Sequence, residues 1–179
     1  MIRIFYIALM AVLGAIIVHI TLLFLYPTLQ QQVFWGEIKQ LAPANQFTAL
    51  PAQNSIIQET DPIAQIRLCH FDLSNNPIHF YAKGNVAFWS LSIYNDKGDN
   101  LYSINDRTSP DQILDLVLGD PIQIMDYRQI IADKIKKPVL TQQSLDRGFA
   151  ILRVLKPSND WQKNIDTFFS SAKCSEISD

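Results

Sequence analysis

"CHFDLSNNPIHFY", residues 69–81, is the stretch on which the fold turns. Apolar and polar side chains alternate along it, so Cys69, Phe71, Leu73, Ile78 and Phe80 share one face and His70, Asp72, His79 and Tyr81 the other. Asparagine tolerates turn conformations, and Asn75-Asn76 between two such runs predicts a β-hairpin. In that register Leu73 faces Ile78, Asp72 faces His79, Phe71 faces Phe80 and His70 faces Tyr81. The apolar face is then the inner surface of a sheet. The polar face gathers His70, Asp72 and His79, two imidazoles and a carboxylate, a donor set suited to zinc or iron. The plainer reading is an exposed face on which Asp72 pairs with His79, because no fourth ligand is in view.

Working outward, "FWSLSIYNDKGDNLYSINDRTS", residues 88–109, predicts a second hairpin. Trp89, Leu91 and Ile93 alternate with Ser90, Ser92 and Tyr94, residues 96–100 turn around Gly98, and Leu101 to Ile104 returns. It ends in a polar corner of Asn105, Asp106, Arg107 and Thr108. Side chains of this kind at a corner bond nearby backbone and tie down loops, so the expectation is structural, with Asp106→Ala and Arg107→Ala each destabilising. A catalytic corner would need a nucleophile or base with an orienting group, and no G-x-S-x-G, H-E-x-x-H or phosphate loop is present to join it.

A strand is predicted over 113–118, and Gly119-Asp120-Pro121 stops it and caps a helix carrying Ile124, Tyr127, Ile131 and Ile135, ended by Pro138. Lys134, Lys136 and Lys137 fall at that helix end, where cations complement the dipole. "FAILRVL", residues 149–155, is another strand, and Asn159 or Asp160 caps a last helix with Trp161, Ile165, Phe168 and Ala172 on one face. A short helical turn is expected at Asp61-Pro62. The body over 61–179 is therefore α+β: an antiparallel, sandwich-like sheet with two to three packed helices.

The first 26 residues are a different material. After Arg3 no formal charge appears from Ile4 to Tyr26, and as a helix that run is about 35 Å long, enough to cross a bilayer core of roughly 30 Å. A cleaved signal needs a shorter apolar region and small residues at its exit, whereas this run leaves through Tyr26, Pro27, Thr28 and Leu29, so an uncleaved anchor in the lipid bilayer is expected. Ala8, Ala11, Ala15 and His19 form one stripe suited to packing against a partner helix. Residues 27–60, rich in glutamine, read as a short juxtamembrane helix and a tether. Basic residues bias the amino terminus to the cytoplasm and the body to the outside. In an oxidising space the only two cysteines, Cys69 and Cys174, are expected to bond. A net charge of -2 gives no electrostatic footprint for nucleic acid.

Taken together, "DPIAQIRLCHFDL" (61–73), "FWSLSIYNDKGDNLYSINDR" (88–107) and "FAILRVLKPSNDW" (149–161) running on to Cys174 resemble a small membrane-anchored bacterial family that carries a domain of unknown function, of the twelve-fifty-four type. The resemblance implies an inner-membrane protein of Gram-negative bacteria with a periplasmic body, no established activity, and a partner protein with the related twelve-fourteen-type domain. The functional expectation is a non-catalytic interaction or accessory module without a cofactor. The alternative is a small metal-dependent or hydrolytic envelope enzyme using His70, Asp72, His79, Asp106 and Arg107.

Overall fold

The structure, a computed structural model, describes residues 2–50 and 63–177 and, within them, all side chains but those of 27–34. The expected turn at Asp61-Pro62 lies outside the described residues. The alternation over 69–81 is real, and Cys69, Phe71, Leu73, Ile78 and Phe80 are all buried. The hairpin is not. β2 (Ala64–Asp72) pairs with β8 (Arg147–Leu155), while β3 (Ile78–Ala82) belongs to another sheet. The reason lies in Pro77: a two-residue turn at Asn75-Asn76 needs the N–H of residue 77 for the Ser74 carbonyl, and proline has none. The chain instead crosses between sheets, with Leu73 N–H bonded to the Asp146 carbonyl (2.7 Å) and the Leu73 carbonyl accepting from Gln123 Nε2 (2.8 Å).

Two sheets result. The five-stranded one has the order β1-β2-β8-β4-β5, with β1 Thr48–Ala49, β4 Trp89–Asn95 and β5 Asn100–Asn105, all antiparallel. The four-stranded one has the order β7-β6-β3-β9, with β6 Leu114–Gly119, β7 Val139–Gln142 and β9 Lys173–Glu176. One core lies between them, built from Phe71, Trp89, Leu91, Ile93 and Leu152 on one side and Ile78, Phe80, Leu114, Leu116 and Leu118 on the other. Phe71 and Phe80 do meet, edge to face at 5.6 Å, but across this core rather than along a ladder. The α+β, sandwich-like class therefore stands.

The second hairpin forms as expected. Leu91 pairs with Ile104 and Ser92 with Ser103, and Gly98 occupies a left-handed φ of 91° in its turn. After β6, Asp120 accepts from Ile122 N and Gln123 N while Gln123 Oε1 accepts from Asp120 N, a capping box that starts α2 (Pro121–Ile130). Helix α2 stops well short of Pro138, and Ile135 is wholly exposed. The added β7 explains why. It pairs parallel to β6 with Val139 opposite Leu116, so the chain must return about 10 Å, and a helix run on to Pro138 would overshoot at about 25 Å.

Helix α3 (Gln162–Ser171) buries Ile165 and Phe168 as expected, with Phe168 stacked on Trp89 at 6.4 Å. Neither Asn159 nor Asp160 caps it. A 3-10 turn over Asn159–Trp161 leads in instead, without a side-chain cap bond. The disulfide Cys69–Cys174 is present and joins β2 to β9, tying sheet to sheet across the core.

One helix, α1 (Ile2–Leu41), takes the place of the expected anchor and short juxtamembrane helix. Its segment Ile2–Tyr26 is apolar and long enough to cross a membrane and is fully exposed. The helix continues past Pro27, although an interior proline costs about 3 kcal/mol. The offset is at the far end, where Trp35, Ile38 and Ala42 bury against Leu68 and Phe149 on the outer face of the five-stranded sheet. β1 then joins that sheet, so 35–50 is part of the body rather than a tether.

Candidate functional site

The two-sheet crossing disperses the expected metal set. His70 points from β2 toward the end of α1, where Nε2 lies 3.0 Å from the Ala42 carbonyl and the ring meets Trp35 edge to face at 6.2 Å. Burial pushes the His70 imidazole below its usual pKa, opposed by the Ala42 bond and aided by Lys39. His70 thus fastens the long helix to the sheet. Asp72 Oδ1 accepts from Ser74 N at 2.8 Å, and the Ser74 hydroxyl, seconded by that backbone N–H, holds the Asp72 carboxyl below the usual range. His79, on the other sheet, has its Nε2 2.8 Å from Oδ1 of Asp115 and its ring 6.0 Å from Tyr81. Its acidic partner is Asp115 of β6, not Asp72. Among the described residues no group of three or more His, Cys, Asp or Glu converges to hold a metal.

The corner after β5 divides into two roles. Asn105 Oδ1 accepts from Arg107 N (2.9 Å) and Thr108 N (3.1 Å), and Thr108 Oγ1 accepts from Asn105 N (3.1 Å). Asn105 and Thr108 are the structural pair, and Arg107 is exposed. Asp106 differs: its Oδ1 is shielded from solvent and has no hydrogen-bond partner among the described residues. The backbone donors of the corner are taken by Asn105 rather than by Asp106. We expect Asn105→Ala to cost about 1–2 kcal/mol and Asp106→Asn to change stability by less than about 0.5 kcal/mol. Urea melts of the two variants distinguish this from a corner held by Asp106.

Asp106 lines a cavity of ≈360 Å³ together with Lys83, Val86, Trp89, Asp111, Gln112 and Ile113. Its wall holds two successive non-glycine residues in left-handed conformations, Asp111 (φ 55°) and Gln112 (φ 57°), an arrangement with a conformational cost. Three contacts hold it there. Trp89 Nε1 donates to the Gln112 carbonyl (3.0 Å), Ser109 Oγ donates to the Ile113 carbonyl, and Lys136 Nζ donates to Asp111 Oδ2 (2.8 Å). That last pair lowers the Asp111 pKa and raises that of Lys136. A second cavity of ≈350 Å³ shares Lys83, Asp111 and Ile113 with the first and adds Tyr81, Asp115, Lys136 and Lys137. A third, of ≈570 Å³, lies at the opposite end of β4 and includes Asp72, Asp96 and Arg147, the last two joined at 2.9 Å.

Between them the first two cavities take up Asp106 from the expected residues and add Lys83, Tyr81, Asp111 and Asp115. Only Pro110 hinted at a turn near Asp111. Asp115 carried a signal in its place as the one charged residue of an apolar strand.

No family model matches the chain, and no curated protein matches it. Among solved structures it is similar to the VPA0106 protein of Vibrio parahaemolyticus, with a TM-score of 0.59 and 10% identity, over 82% of this chain and 34% of that one. It is also similar to an uncharacterised protein of Burkholderia cenocepacia, with a TM-score of 0.51 and 10% identity, over 80% of this chain and 38% of that one. The chain spans well under half the length of either structure, and at this identity the likeness is one of fold.

Proposed function

We propose that this protein is a membrane-anchored interaction module of the bacterial envelope, with its body outside the cytoplasm and a partner protein docked on it. The observation that carries the reading is helix α1. Its exposed apolar half and its body-docked half form one helix, so an anchor in lipid would hold the folded domain at a set distance. The Cys69–Cys174 bond supports an oxidising location. The resemblance to the twelve-fifty-four-type family supports an inner-membrane protein with a related-domain partner. The metal-dependent alternative loses its ligand set, because His70 and His79 stand on different sheets.

The test uses the full chain in its native membrane. We expect it to stay in the pellet through an alkaline carbonate wash, to begin at its own amino terminus, and to have thiols that react with maleimide only after reduction. Crosslinking before solubilisation should recover one membrane or envelope protein in stoichiometric yield. Release into the wash, or an amino terminus beyond Tyr26, would overturn the anchor. Recovery of the body alone after crosslinking would overturn the docked partner.

A further inference from the structure

We propose that the end of the sandwich from which α1 leaves docks a basic segment of a partner protein that also carries apolar side chains. This rests on the docked-partner reading and adds to it the place and the chemistry of the contact. From Trp35 to Ala49 the chain moves along the five-stranded sheet from one end toward the other. Trp35 has the Arg147 guanidinium over its ring at 5.6 Å, Ala42 meets His70, and Thr48 and Ala49 stand opposite Leu68 and Arg67. Helix α1 therefore leaves at the Arg147 end, where Asp72 pairs with Arg147 and Leu73 N–H bonds the Asp146 carbonyl. Helix α2 begins at that same end, with Gln123 Nε2 donating to the Leu73 carbonyl and Gln143 N–H to the Gly119 carbonyl.

Outside α1, the large apolar side chains exposed among the described residues are Ile63, Ile122, Met125, Ile130 and Ile135. Ile122 and Met125, 68% and 58% exposed, are neighbours in the first turns of α2, on the face turned away from the buried Ile124. Apolar surface of this kind marks a contact. Next to it lies the ≈570 Å³ groove that includes Asp72, Gln143 and Asp146. Across the stretches 72–77, 95–100, 119–122 and 143–147 that build this end, the acids are Asp72, Asp96, Asp99, Asp120 and Asp146, against Lys97 and Arg147. Arg147 is taken by Asp96 at 2.9 Å, and neither Asp72 nor Asp146 has an ion pair among the described residues. That sign chooses the occupant. A lipid surface offers these carboxylates no net positive charge, and a second copy would set like charges against each other. Lysine or arginine side chains of a partner would pair with them while its apolar side chains cover Ile122 and Met125.

The experiment places photoreactive benzoylphenylalanine at Ile122, Met125 or Ile135 of the full chain in its native membrane and maps the adducts by mass spectrometry. Ile135 is the control, because it adjoins Lys136, whose partner Asp111 lies at the opposite end of the sandwich beside Trp89. Positions 122 and 125 should crosslink one protein about tenfold more than 135, through a peptide carrying lysine or arginine beside apolar residues. Asp72→Asn combined with Asp146→Asn should lower that yield about fivefold, and asparagine at 72 can still accept from Ser74 N–H. Adducts with lipid, with a second copy or with an acidic peptide would overturn the proposal. So would yields at 122 and 125 no higher than at 135, or a yield unchanged in the double variant. Carbonate washing and chemical crosslinking of the same membranes separate the two readings. A partner recovered by chemical crosslinking while 122 and 125 form no adduct keeps the docked partner and removes this surface; recovery of the body alone by both methods removes both.

Discussion

Replacing Cys69 and Cys174 with alanine is expected to lower the stability of the body by about 3–5 kcal/mol. The bond spans a sequence separation of 105, most of the folded domain, so breaking it restores a large conformational entropy to the unfolded chain. It also links β2 to β9, and among the described residues the β9 edge is otherwise paired only to β3. The measurement is urea unfolding of the full chain in detergent, oxidised against the double variant. The midpoint should fall steeply, and reductant should move the parent to the variant's curve. A shift of less than about 1 kcal/mol would mean that the sheets are held by packing alone.

Phe80→Ala should be comparably damaging, at about 3–5 kcal/mol. The ring is fully buried and lies between Phe71, at 5.6 Å, and Phe47, at 6.1 Å, with Leu116 and Cys174 as its strand neighbours. Neighbours from both sheets and the disulfide prevent the gap from collapsing, so the cavity term is retained in full. A double-mutant cycle with Phe71→Ala should give a coupling of about 0.5–1.5 kcal/mol for the edge-to-face pair. Ile122→Ala is the control. That side chain is 68% exposed on α2, and its removal should change stability by less than about 0.5 kcal/mol. Equal losses at Phe80 and Ile122 would place the core elsewhere.

Several features were legible in the chain because their causes are local. Alternation in 69–81 and 89–95 set the buried faces, since a strand's side-chain period does not depend on its partner. Gly98 marked its turn by its freedom of φ, and Asp120-Pro121 marked a helix start by its cap. The uncharged run to Tyr26 defined an apolar helix by length alone. Asn105 was readable as a corner because an asparagine bonds backbone within a few residues.

What only the tertiary structure decided is which strand meets which. Alternation buries Phe71 and Phe80 equally well as hairpin neighbours or as opposite walls of a sandwich, and the choice between them moved His70 and His79 onto separate sheets. Pro77 held the local clue. The partners β8, β6 and β9 lie from more than 30 to almost 100 residues away along the chain, beyond any periodic signal. The same holds for helix α1, whose passage beyond Pro27 depends on a docking surface formed by Leu68 and Phe149. Asp106 is the extreme case. It sits beside Asn105 in a common polar motif, yet Asn105 is satisfied by its neighbours, whereas Asp106, although it lines a cavity whose walls come from four separate parts of the chain, keeps one oxygen shielded from solvent with no donor among the described residues. Local chemistry determined the elements and their inner faces, and long-range packing determined which polar groups were left without partners.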